Sequence, residues 1–174
     1  MEKQMIVFQN MEALENEMCK SIVRILTDAI QQKGIATLLL SGGGTPKGLY
    51  KRLSSQDLNW DKINIGLVDE RFVEGSSKYS NAKMIEDILI QNKAQIANLV
   101  RMVFDSTHYE ENLKLVKEQY EGFKDADIVI LGMGGDGHTA SIFPNDNESE
   151  KCLNDLEPRF EIQMRRVIQN SVFP

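Results

Sequence analysis

Apolar positions along the chain keep two different periods. From 11 to 33, Leu14, Met18, Ile22, Ile25 and Ala29 recur at helical spacing. Asn10 stands where an N-cap is needed, Glu12 and Glu15 lie near the positive end, and Gly34 supplies the stop. Five short apolar runs read as strands: 5–8, 35–40, 63–68, 99–104 and 127–131. Between them the spacing predicts helices from Pro46 to about Leu53, from Ser80 to about Ile90, and over 109–122 with Leu113, Val116 and Tyr120 facing inward. Thr45 is placed to cap the first of these, with Pro46 at its first helical position. Strict alternation of strand and helix predicts an α/β fold: a doubly wound, mainly parallel sheet with helices on both faces and right-handed crossovers. The run Ile128 to Gly132 is apolar throughout, which suits a strand covered on both sides. After Asn145 the period is lost, and only a strand around Phe160 to Met164 is expected in the tail, 145–174, of a single domain spanning 1–174.

Composition narrows the function. The 174 residues suffice for one domain with a real core. A net charge of −6 argues against a nucleic-acid partner, so an anionic ligand must be held by local groups. Cys19 and Cys152 have no metal or redox spacing, and Cys19 falls on the helical stripe as a buried free thiol. The N-terminus has no signal-like apolar region, and no stretch approaches the roughly 20 residues of a membrane span. A cytoplasmic protein without a membrane partner is expected.

Chemistry concentrates where strands end. Ser41-Gly-Gly-Gly-Thr-Pro46 joins a strand to a helix, and its amides can converge on an anion, with Lys47 close by. It is not a nucleotide-binding P-loop, because Leu49 stands where that motif needs lysine. Gly132, Gly134 and Gly137 have the spacing of a dinucleotide fingerprint but follow the last clear strand, with Pro144 restricting any helix after them. The nicotinamide reading is therefore rejected. Asp69-Glu70-Arg71 could be a solvated ion pair, but its place at a strand end favours a site. There Arg71 can fork onto a phosphate and Asp69 can orient a hydroxyl. His138 lies in a glycine-rich turn with Asp136 two residues before it, a setting for a general base, whereas His108 reads as surface.

Ser-Gly-Gly-Gly-Thr-Pro at 41–46, Val-Asp-Glu-Arg at 68–71, Ser-Asn at 80–81 and Gly-Met-Gly-Gly-Asp-Gly-His-Thr-Ala-Ser-Ile-Phe-Pro at 132–144 resemble the 6-phosphogluconolactonases. The resemblance covers roughly residues 5 to 145 and implies hydrolysis of 6-phospho-D-glucono-1,5-lactone. It implies His138 as base, with Asp136 or a neighbouring backbone carbonyl setting its tautomer, and no metal or organic cofactor. Gly43, Gly44, Thr45, Asp69 and Arg71 would hold the sugar phosphate, and amides of Gly134 and Gly135 the oxyanion. Related glucosamine-6-phosphate deaminases carry a Glu soon after the histidine; here none occurs before Glu148, which favours the lactonase. A deaminase-like enzyme and a non-catalytic sugar-phosphate binder are the alternatives. The chain is shorter than the family pattern, so an incomplete C-terminal part is expected, with an exposed sheet edge open to oligomerisation.

Overall fold

Met11–Lys33 folds as one helix, α1, because both ends are closed. The Asn10 side chain accepts from the Ala13 amide, and Gly34, at φ 82°, donates its own amide to the Ile30 carbonyl. The computed structural model describes residues 4–147 and 149–150 and the backbone of Met164 and Arg165. After α1 come β1 (Ala36–Leu40), α2 (Lys47–Leu53), β2 (Ile63–Leu67), β3 (Glu70–Arg71) and α3 (Asn81–Ile88). Then follow β4 (Asn98–Leu99), α4 (Tyr109–Gln119), β5 (Ile128–Val129) and β6 (Met164–Arg165).

Four strands form a parallel sheet in the order β4-β2-β1-β5, with Leu38 opposite both Ile65 and Ile128. Leu38, Leu40, Ile63 and Ile65 are fully buried with Leu26, Tyr50, Leu53, Ile85 and Leu89. Gly66 lies against Leu39 and Phe123, where a Cβ would overlap. Tyr120 is held inside by its hydroxyl, which accepts from the Leu67 amide at 2.9 Å and donates to the Val100 carbonyl at 3.0 Å. One phenol thus bridges β2 to the chain leaving β4. Trp60, the single tryptophan, packs in the turn before β2, with Nε1 donating to the Gln56 carbonyl at 3.1 Å.

At the opposite flank Asp127 fastens β5 to β1. Its Oδ2 accepts from the Thr37 amide at 2.8 Å and hydroxyl at 3.0 Å, while Oδ1 pairs with Lys33 at 2.8 Å. Glu70 and Arg71 pair in parallel with Met164 and Arg165, so the strand expected in the tail is met at Met164; 160–163 and Cys152 lie outside the described residues.

Several expectations are corrected. Residues 5–8 form no strand and Met5, Ile6 and Val7 are exposed, since an extended apolar run needs a neighbouring edge to satisfy its backbone. On α1 the buried stripe passes through Cys19, Ile22, Leu26, Ala29 and Ile30; Ile25 lies off it by one residue and is only half-buried. β4 keeps only Leu99 of its six expected residues and begins one residue earlier, at Asn98. Beyond it the backbone is satisfied by the buried Asn112 side chain, which donates to the Met102 carbonyl and accepts from the amides of Phe104 and Asp105. Among the described residues β5 is the last strand on its side of the sheet, and it is not covered on both faces: Val129 is 48% and Leu131 57% exposed. Pro46, not Thr45, occupies the N-cap of α2, and no side chain caps that helix.

Candidate active site

The chain moves outward from β1 through β2 to β4 and then returns to β5 on the other side of β1. That reversal parts the loops after β1 and β5, and a crevice opens at the carboxyl ends of the strands. Ser41 closes its floor: its hydroxyl donates to the Ile130 carbonyl at 2.9 Å, and its own carbonyl accepts from buried Tyr50 at 2.8 Å. A cavity of about 400 Å³ lies here. Gly43, Thr45, Asp69, Arg71, Gly134 and His138 all line it, so three separate loops meet as expected. Gly44, Gly135 and Asp136 stand beside it, outside the lining.

His138 is set from three sides. Its Nδ1 bonds the Asp136 carboxylate at 2.5 Å, and its backbone amide donates to the same oxygen at 3.1 Å. These bonds hold the Asp136 carboxyl below the usual carboxylate range. Phe143 stacks on the imidazole at 4.6 Å between centroids. On the remaining side Gly134 is required by space, because a Cβ there would stand 2.2 Å from His138 Cε1. The Gly134 amide donates to the His138 carbonyl at 2.8 Å, so it closes the loop instead of facing a ligand. With Nδ1 engaged, Nε2 is the ring nitrogen without a hydrogen-bond partner among the described residues.

The β2 end is built around two carboxylates with different tasks. Glu70 is 2% exposed and accepts four bonds: from the amides of Arg71, Asn81 and Ala82 and from the Ser80 hydroxyl. It is a buried clamp on the start of α3, not a member of a solvated ion pair. Asp69 faces the cavity and accepts from the Ser141 hydroxyl at 2.7 Å. Asn81 donates to the Asp69 carbonyl at 2.9 Å and accepts from Arg71 Nη1 at 3.1 Å; the same Nη1 donates to the Tyr79 carbonyl at 2.9 Å. Nε and Nη2 of Arg71 have no hydrogen-bond partner among the described residues, so the guanidinium is oriented yet still has donors for an anion. Gly42 makes room for this arrangement, since a Cβ there would meet Asn81 Oδ1 at 1.9 Å.

Asn81, Ser141 and Phe143 lay within the recognised motifs, but nothing in their spacing assigned them these contacts. The wall from α1 (Met11, Leu14, Glu15 and Met18) was not anticipated either. Glu15 is turned to Arg52 at 3.0 Å, over Gly48. Among the described residues no three His, Cys, Asp or Glu side chains are grouped to hold a metal ion, and no helix is long and apolar enough to cross a membrane.

Residues 9–160 match the family model described as glucosamine-6-phosphate isomerases/6-phosphogluconolactonase. A 6-phosphogluconolactonase of Rhizobium meliloti is 35% identical over 165 residues, covering 94% of this chain and 71% of that protein. One of Xylella fastidiosa is 37% identical over 139 residues, covering 80% and 58%. The crystal structure of a 6-phosphogluconolactonase from Shewanella baltica matches with a TM-score of 0.78 at 36% identity, over 83% of this chain and 63% of that one. The one from Thermotoga maritima gives 0.67 at 30% identity, over 76% and 63%. The chain thus spans 58% of the Xylella protein's length and 63% of each of these two crystal chains, against 71% for the Rhizobium protein. With the family model matched from Gln9 to Phe160, through every loop that lines the cavity, the chain belongs to the glucosamine-6-phosphate isomerase/6-phosphogluconolactonase family.

Proposed function

We propose that this chain hydrolyses 6-phospho-D-glucono-1,5-lactone to 6-phosphogluconate, with His138 as general base and without a cofactor. The observation that carries the proposal is the Asp136–His138 pair, held against Gly134 and Phe143 at a cavity it shares with Arg71. That the relatives at 35–37% identity are named 6-phosphogluconolactonases supports the same choice within the family. Asp136 accepts from Nδ1, so neutral His138 keeps a lone pair on Nε2. Nε2 takes a proton from water as the water oxygen bonds to C1, and the carbonyl oxygen becomes an oxyanion. When the C1–O5 bond breaks, O5 receives that proton from the imidazolium. The product acid then ionises to solvent. Gly135, beside the base in the same turn, is the amide assigned to the oxyanion, since the Gly134 amide is engaged.

Arg71 grips the phosphate through Nε and Nη2, together with amides of Gly43, Gly44 and Thr45. α2 has only seven residues, so its dipole adds little and the guanidinium carries the charge. Asp69 accepts from a sugar hydroxyl. The test is lactone hydrolysis by the purified chain beside His138→Ala, with spontaneous hydrolysis subtracted. The variant should lose about 10²–10⁴-fold. A native rate equal to background would defeat the proposal, and ammonia released from glucosamine 6-phosphate would replace it with the deaminase activity.

A further inference from the structure

Thr139 and Ile142 form a tight antiparallel bridge, with Thr139 N donating to the Ile142 carbonyl at 3.2 Å and Ile142 N returning a bond at 2.7 Å. The two residues between them are Ala140 at φ 50° and Ser141 at φ 61°. A two-residue turn with both central residues at positive φ is the kind normally filled by Asn-Gly or Asp-Gly. Alanine and serine resist that backbone, so something outside the turn must hold it. The Ser141 hydroxyl provides the hold: the residue is buried, and Oγ donates to Asp69 Oδ2 at 2.7 Å, joining the histidine loop to the end of β2 across 72 residues of sequence. Asp69 is also the residue whose carbonyl receives Asn81, and Asn81 receives Arg71. The base and the phosphate-binding cation are therefore tied to one carboxylate-bearing residue.

We propose that Ser141 is a positioning residue for the hydrolysis: its hydroxyl locks the histidine loop to Asp69, so that His138 and Arg71 are held at one separation across the bound lactone. The proposal rests on the lactonase assignment, and two substitutions in the full chain separate it from a role in the turn alone. Ser141→Gly removes the hydroxyl and relieves the backbone; Ser141→Ala removes the hydroxyl and keeps the strained backbone. A lock predicts that both variants lose about ten- to a hundredfold in kcat with KM little changed, since misplacement of about 1 Å is costly. Ser141→Gly should keep its thermal stability. The His138 ring signals in the proton NMR spectrum, told apart from those of His108 by His138→Ala, should shift in the unliganded Ser141→Gly protein. Native kcat in Ser141→Gly, or ring signals that do not move, would overturn the lock. If the native chain proves inactive on the lactone, the functional assignment falls by itself and the ring signals alone decide whether the lock exists.

Discussion

Gly134 and Asp136 act on His138 by different means, which separate experimentally. Gly134→Ala drives a methyl into the space of the imidazole, 2.2 Å from Cε1, and the ring has Phe143 on another side. Hydrolysis should fall by about 10²-fold or more, as for loss of a general base, with little change in melting temperature because neither Gly134 nor His138 belongs to the buried core. Steady-state rates and a thermal melt on one preparation check both halves. Asp136→Asn keeps the shape but no longer favours the Nδ1–H tautomer. It should lower kcat more than KM, and a KM-only effect would instead make Asp136 a substrate contact. The Asp136 carboxyl lies below its ordinary range because of the two bonds from His138, so its part of the loop's order is present above the unfolded carboxylate pKa and lost only as pH falls through the depressed value.

Sheet elements depend on single polar side chains at two places. Asp127 joins β5 to β1 and to the last turn of α1. Burial pushes its pKa up, but the Lys33 ion pair and the Thr37 bonds outweigh this and hold it down. Asp127→Asn should therefore cost about 1.5–3 kcal/mol at neutral pH. The folded pKa is depressed, so the contribution is complete above about pH 4 and is lost as pH falls through the folded value. Urea denaturation of both proteins from pH 7 downward should show the gap closing in acid. Tyr120→Phe leaves the buried Leu67 amide without its phenol acceptor and should cost about 1–3 kcal/mol while leaving kcat unchanged. Elements of this kind were partly legible in the sequence. The bounds of α1 could be read to the residue, because its Asn cap and Gly stop are local, whereas its inner face was misplaced at Ile25. The shortening of β4 could not, since it depends on Asn112 reaching the backbone of 102–105 from another element.

At the scale of the whole molecule, the meeting of three loops at one cavity was legible because the alternation of strand and helix brings their strand ends to one edge. The contacts that tune them, Ser141 to Asp69 and Asn81 to Arg71, were not, since each joins side chains from different loops at distances only folding sets. The same topology makes protection uneven. β1 lies between two strands, whereas among the described residues β5 has a neighbour on one side only, and Val129 and the following Leu131 are about half exposed. Hydrogen exchange should be slowest at Leu38 and Leu40 and much faster at Leu131; equal rates would contradict the edge assignment. Trp60 gives these tests a built-in optical probe. It is 1% exposed and sits before β2, whose five residues put about 16 Å of strand between it and the cavity loops. Its emission should be blue-shifted in the native protein, move to the red on unfolding, and stay unchanged when ligand enters. Fluorescence from one indole can therefore certify that an inactive variant is folded before any conclusion is drawn about its chemistry.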